Sequence, residues 1–137
     1  MTKVFIDGSS GTTGLRIRER LCTRSDIELI ALEEAYRKDA GARQEAFQKA
    51  DVAFLCLPDA AAIEAVELAK DSGAVIIDTS TAHRTATGWT YGMPELTGYK
   101  EKIAKAKWIA NPGCHASGFI ALMAPLVEKA WWRKIRC

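Results

Sequence analysis

The chain opens on a short apolar run, Lys3-Val4-Phe5-Ile6-Asp7, that passes straight into Gly8-Ser9-Ser10-Gly11-Thr12-Thr13-Gly14. Leu15 to Leu21 follows, with Ile17 and Leu21 four residues apart on one helical face. The first run is β-prone. A strand, a turn with three glycines and then a helix leave few folds open. A turn so poor in side chains lets a phosphate approach the backbone N–H groups at the helix start. Ser10, Thr12 and Thr13 add hydroxyls for phosphate oxygens. Gly8, Ser10, Gly11, Thr12, Thr13 and Gly14 are therefore expected to cradle a dinucleotide pyrophosphate; the alternative is a flexible loop with no ligand.

The rest of the chain repeats the alternation. Ile27–Leu32 reads as a second strand, ending at Glu33 and Glu34, and Arg37–Ala50 as a surface helix. Asp51–Leu57 reads as a buried strand stopped by Pro58. Asp59 is expected to cap a helix over Ala60–Ser72, with Ile63, Val66, Leu68 and Ala69 as its core positions and Gly73 as its end. Ala74–Asp78 is another strand, Gly88–Gly98 a loop, Lys100–Lys107 a short basic helix and Trp108–Ala110 a last strand. Short apolar strands alternating with helices predict a doubly wound parallel α/β sheet, a Rossmann-like nucleotide-binding domain. Ligands of such sheets bind at the carboxyl ends of the strands. The glycine turn, Glu33, Leu57-Pro58-Asp59 and Asp78–Arg84 all fall there.

At the end of the second strand the signals conflict. An acidic residue such as Glu33, about 20 residues past the glycines, suits the ribose hydroxyls of NAD. Arg37 and Lys38 follow at once and suit a 2′-phosphate. The expectation is NADP, held in part by Arg37 and Lys38, against a plain pair of solvated loop charges.

Asn111-Pro112-Gly113-Cys114-His115 precedes an apolar stretch from Ala116 to Val127. A Pro-Gly turn before a helical pattern puts the sulfur at or near a helix N-terminus, where free N–H groups and the macrodipole favour a thiolate. A thiolate is a nucleophile and a leaving group, so Cys114 is the candidate for acyl-transfer catalysis. A buried, inert cysteine is the alternative. His115 is read as a helix-start residue, badly placed to reach back to the sulfur.

Composition narrows the class. At 137 residues, 48% apolar and 26% charged, the chain is the size of one ordinary globular domain. A net charge of +2, with basic residues dispersed, argues against nucleic acid. No uncharged apolar run of about 18 residues is present, so no membrane partner is expected, nor a leader ahead of Lys3. The four cysteines form no C-x-x-C pair and meet only two histidines, so neither metal nor a disulfide framework is expected. The chain is read as cytoplasmic, with reduced thiols.

Four segments occur in an order that resembles the N-acetyl-gamma-glutamyl-phosphate reductases of the short bacterial form. They are Gly8–Leu15, Asp78-Thr79-Ser80-Thr81-Ala82-His83-Arg84, Tyr91-Gly92-Met93-Pro94-Glu95 and Asn111-Pro112-Gly113-Cys114. The resemblance runs from Met1 to about Lys129. It implies NADPH-dependent reductive dephosphorylation of N-acetyl-glutamyl phosphate to the semialdehyde, in arginine biosynthesis. Cys114 would attack the acyl phosphate, Ser80 would face the cofactor, and His83 and Arg84 the substrate. His83 and Arg84 are equally readable as a structural clamp. The complete enzyme is implied to be a homo-oligomer.

Such reductases are about twice as long, with a second domain that supplies the catalytic base. Residues 1–113 are accordingly read as the dinucleotide-binding domain and 114–129 as the start of a catalytic domain, most of which is absent. The atypical tail at 130–137 is read as the mark of a frameshift or early stop. Two other readings stay open: a related semialdehyde dehydrogenase such as aspartate-semialdehyde dehydrogenase, and a non-catalytic nucleotide-binding module.

Overall fold

The computed structural model describes residues 1–131; the rest of the tail, 132–137, lies outside the described residues. Six strands form one sheet: β1 (Thr2–Asp7), β2 (Ile27–Ile30), β3 (Val52–Leu55), β4 (Val75–Asp78), β5 (Thr90–Tyr91) and β6 (Trp108–Ala110). Their order is β2-β1-β3-β4-β6-β5. Every pairing is parallel, with Phe5 opposite Ile30 on one side and Ala53 on the other. The helices are α1 (Thr12–Leu21), α2 (Ala40–Lys49), α3 (Asp59–Ala69), α4 (Tyr99–Lys105) and α5 (Cys114–Glu128), with a 3-10 turn at Glu34–Tyr36.

The chain goes from β1 outward to β2, then returns past β1 to β3. Right-handed crossovers in opposite directions put α1 and α2 on opposite faces. The reversal opens a crevice beyond the carboxyl ends of β1, β2 and β3, and the glycine turn lies in it. The predicted doubly wound sheet is the fold observed.

One face is built from side chains that alternate along the strands. Phe5 meets Phe47 of α2 edge-on, with ring centroids 5.1 Å apart. Leu55, Ile76 and Ala53 continue that layer beneath Ala65 and Ala69 of α3. Beside it Arg43 of α2 is buried against Asp7: its Nε and Nη2 donate to Oδ2 at 3.1 and 2.9 Å, while Nη1 donates to Glu64 at 2.8 Å. This staple joins β1, α2 and α3.

Several boundaries and faces differ from the sequence reading. β2 ends at Ile30, and α2 starts at Ala40 because the Asp39 carboxylate accepts the Ala42 N–H at 2.8 Å, a cap placed after Arg37 and Lys38. α2 is no surface helix, since Phe47 is wholly buried. In α3 the buried residues are Ala62, Ala65 and Ala69, and Ile63 is exposed. Asp59 is the first helical residue and caps nothing; its carboxylate accepts the N–H and hydroxyl of Thr81. Those hydrogen bonds hold the Asp59 carboxyl below its usual range. Gly73 does not end α3, whose last carbonyls are met by Ser72 and whose following turn is met by the Lys107 ammonium, 2.7 Å from the Ser72 carbonyl. β5 lies inside the segment read as a loop. α5 buries none of its own residues, and Phe119 and Leu122 stand exposed.

Candidate active site

Gly8 adopts φ +84°, and a Cβ there would lie 2.3 Å from the Cys56 carbonyl oxygen. A Cβ on Gly14 would lie 2.4 Å from the Gly8 carbonyl oxygen. The first and third glycines therefore let the turn press against β3 and α1 press against the turn. At Gly11 an added Cβ would make only an ordinary contact, 3.5 Å from the Gly8 carbonyl oxygen. No side chain caps α1. The N–H groups of its first turn have no intrahelical acceptor, and Ser10, Thr12 and Thr13 are exposed around them. A pyrophosphate fits this cradle.

Two clefts flank the turn. The first, of about 450 Å³, lies at the ends of β1 and β2, with Gly8, Ser9 and Ser10 on one side and Leu32, Leu57 and Ala35 as apolar walls. Arg37 and Lys38 stand on its rim, as does Arg18 of α1, which the sequence reading did not single out. A helical arginine gives no sign in sequence of the cleft it reaches. Arg37 approaches Glu34 at 3.7 Å, and its Nε is buried with no hydrogen-bond partner.

The second cleft, about 480 Å³, is bounded by Thr13, Thr79, Arg84, Asn111 and Cys114. Cys114 is the first residue of α5 and is exposed. His115 Nδ1 lies 3.5 Å from its sulfur, so His115 does reach back, contrary to expectation. Arg84 donates from Nε to the Asn111 carbonyl at 3.2 Å and from Nη2 to that of Thr79 at 3.3 Å. Its Nη1 fills the space where a Gly113 Cβ would sit. The arginine both lines the cleft and ties the turn before Cys114 to the end of β4.

Ser80 and His83 lie elsewhere. Asp78, with no exposed surface, accepts the Ser80 N–H at 2.9 Å, the Ser80 hydroxyl at 2.6 Å and pairs with His83 Nδ1 at 2.6 Å. The His83 ring stacks on Trp89 at 4.1 Å. Both residues brace the loop after β4, and neither lines the two clefts. Among the described residues no group of three His, Cys, Asp or Glu is placed to hold a metal, and no helix is long and apolar enough to cross a membrane.

A crossover crevice, an open glycine cradle and a cysteine on the same sheet edge define a nucleotide-binding α/β domain of the dehydrogenase type. The chain belongs to the family described as semialdehyde dehydrogenase, NAD binding domain, which matches residues 3–106. Among curated proteins it is 54% identical over 128 residues to N-acetyl-gamma-glutamyl-phosphate reductase of Trichormus variabilis, covering 93% of this chain and 40% of that one. It is 53% identical over 126 residues to N-acetyl-gamma-glutamyl-phosphate reductase 2 of Pseudomonas putida, covering 91% of this chain and 40% of that one. The chain thus spans about two fifths of the length of these relatives. Among solved structures, aspartate semialdehyde dehydrogenase II of Vibrio cholerae superposes with a TM-score of 0.69 at 18% identity, over 92% of this chain and 46% of that one. The enzyme of Candida albicans, solved with NADP, gives 0.68 at 18% identity, over 94% and 47%. At such identity these structures support the fold alone.

Proposed function

We propose that this chain is the nucleotide-binding part of an N-acetyl-gamma-glutamyl-phosphate reductase and carries its nucleophile, with residues 1–113 holding NADP and residues 114–129 opening the catalytic part. The observation that carries this reading is the position of Cys114, exposed at the first residue of α5 in a cleft that Thr13, next to the last glycine of the turn, also lines. The identity to named reductases over nearly the whole chain supports the choice of substrate.

The adenosine end of the cofactor belongs in the cleft walled by Leu32 and Leu57, its pyrophosphate on Gly11, Thr12 and Thr13, and its 2′-phosphate beside Arg37 and Lys38. The bound cofactor supplies a hydride to the acyl carbon. The chain itself supplies a sulfur that attacks the acyl carbonyl of N-acetyl-glutamyl phosphate; the C–S bond forms as the C–O bond to phosphate breaks, and inorganic phosphate leaves. Arg84, beside Cys114 and permanently charged, suits the phosphate or a carboxylate of the substrate. His115, near the sulfur, suits reception of the thiol proton. After reduction the sulfur leaves again as the aldehyde forms. A chemistry that needs a free thiolate fits a cytoplasmic enzyme.

The test is acylation of the intact chain. Incubation with N-acetyl-glutamyl phosphate is expected to release one equivalent of phosphate and leave an N-acetyl-glutamyl adduct on Cys114 by peptide mass mapping. Cys114→Ser should show neither. Adducts spread over exposed Cys22, or none on Cys114, would overturn the assignment.

A further inference from the structure

We infer that Arg18, projecting from α1 into the first cleft, completes the site for a 2′-phosphomonoester and sets the preference for NADPH over NADH. This rests on the reading that the cleft holds the adenosine end of the cofactor. Gly14 and Arg18 are four residues apart, so they share the face of α1 that packs on the turn. Gly14 is buried there, and Arg18 lies one turn further on, where a long side chain reaches the end of β2. Its guanidinium enters no ion pair or side-chain hydrogen bond among the described residues. The carboxylates lining the same cleft are already engaged: Asp7 with Arg43, and Glu34 with Arg37.

Charge and geometry then leave an unbalanced site. Three cations, Arg18, Arg37 and Lys38, border the cleft, and Arg37 Nε is buried without an acceptor. A buried donor left unpaired is costly, and a phosphate oxygen satisfies it. A phosphomonoester is close to a dianion at neutral pH and carries three acceptor oxygens, more than one half-neutralised arginine balances. Lys38 supplies a point charge, whereas Arg18, on α1, supplies a planar fork of donors. A neutral ribose hydroxyl would leave that positive charge unbalanced.

The intact chain and its Arg18→Gln variant are titrated calorimetrically with 2′,5′-ADP and with 5′-AMP, fragments whose binding does not depend on turnover. Arg18→Gln is expected to weaken 2′,5′-ADP about tenfold or more and 5′-AMP by no more than about twofold. Arg18→Lys should recover part of the loss. Arg20→Gln, on the same exposed helix but outside the cleft, should match the parent for both fragments. If Arg18→Gln leaves 2′,5′-ADP unchanged, or weakens both fragments equally, Arg18 does not read the 2′-phosphate and the inference is overturned. A parent chain that binds 5′-AMP as tightly as 2′,5′-ADP has no 2′-phosphate subsite. A parent that binds neither overturns the adenosine reading as well.

Discussion

An alanine methyl at Gly8 would meet the backbone carbonyl of Cys56 at 2.3 Å, in a residue already at φ +84°. Neither partner can move without displacing β3. Gly8→Ala is therefore expected to lose at least about 2 kcal/mol of stability, from left-handed backbone strain and steric overlap together. Gly11→Ala meets nothing closer than 3.5 Å at an extended φ of −77°, so its cost should stay within about 1 kcal/mol. Its methyl would stand at the proposed pyrophosphate site, and nucleotide affinity should fall. Urea denaturation paired with nucleotide titration separates the two glycines; equal stability losses would refute the division. Both glycines read alike in the sequence, because spacing says nothing about what a missing Cβ makes room for. The same limit explains Ser80 and His83. They belong to a motif at a strand end, but the fully buried carboxylate of Asp78 draws them inward, and only the fold shows which way they turn. Cys114 was legible because its signal is local: a Pro-Gly turn, a sulfur and an apolar helix in sequence. The thiols differ in kind as well. Burial pushes Cys56 up to about 11, so it stays protonated at neutral pH, while Cys22 at the end of α1 is exposed and open to alkylation.

In α3 the wholly buried positions are held by alanines rather than by bulky residues. Ala62, Ala65 and Ala69 have no exposed surface, whereas Ile63 is 53% exposed. Small residues let the helix axis lie close to the sheet, leaving Val66 and Leu68 to cover the margins. Ala65→Leu should thus cost about 1–3 kcal/mol by overpacking, and Ile63→Ala less than about 1 kcal/mol. Thermal melts of the two variants decide it, and the reverse ranking would refute the alanine face. A pattern search weights large apolar residues, so it finds Val66, Leu68 and Ala69 but takes the exposed Ile63 for core and passes over Ala62 and Ala65. Element type and order were readable nonetheless, since β1 through β4 are short, mostly apolar runs between turn signals. β5 was not: two residues are too few for a period, and Thr90 and Tyr91 pair only because β6 passes beside them. α2 began later than expected because its cap, Asp39, lies beyond the two basic residues that seemed to start it.

Across the molecule, the Asp7–Arg43 staple connects stability to the site, because Asp7 immediately precedes Gly8. Burial raises the Asp7 carboxyl above its ordinary 3.8, and the Arg43 guanidinium pulls it back down. A carboxyl raised in the folded state binds its proton more tightly there than in the unfolded chain. Its contribution is therefore fully present below about pH 4 and is lost as pH rises through the folded value. Arg43→Met removes two of the three influences that lower it, leaving the Gly8 N–H, so the folded value climbs and the window of loss extends upward. At neutral pH the variant holds an unpaired buried carboxylate and should lose about 3 kcal/mol. Near pH 4 the carboxyl is protonated in the variant's native state, and the gap from the parent should narrow. Asp7→Leu combined with Arg43→Met should recover most of the loss, since an apolar pair of adequate volume replaces a buried ion pair at little cost. Urea midpoints at neutral pH and near pH 4 measure all three chains; a gap independent of pH would show that Arg43 acts through packing rather than charge. If the charge account holds, Arg43→Met should also weaken nucleotide binding most at neutral pH, where the unpaired carboxylate sits one residue from the turn proposed to receive the phosphates.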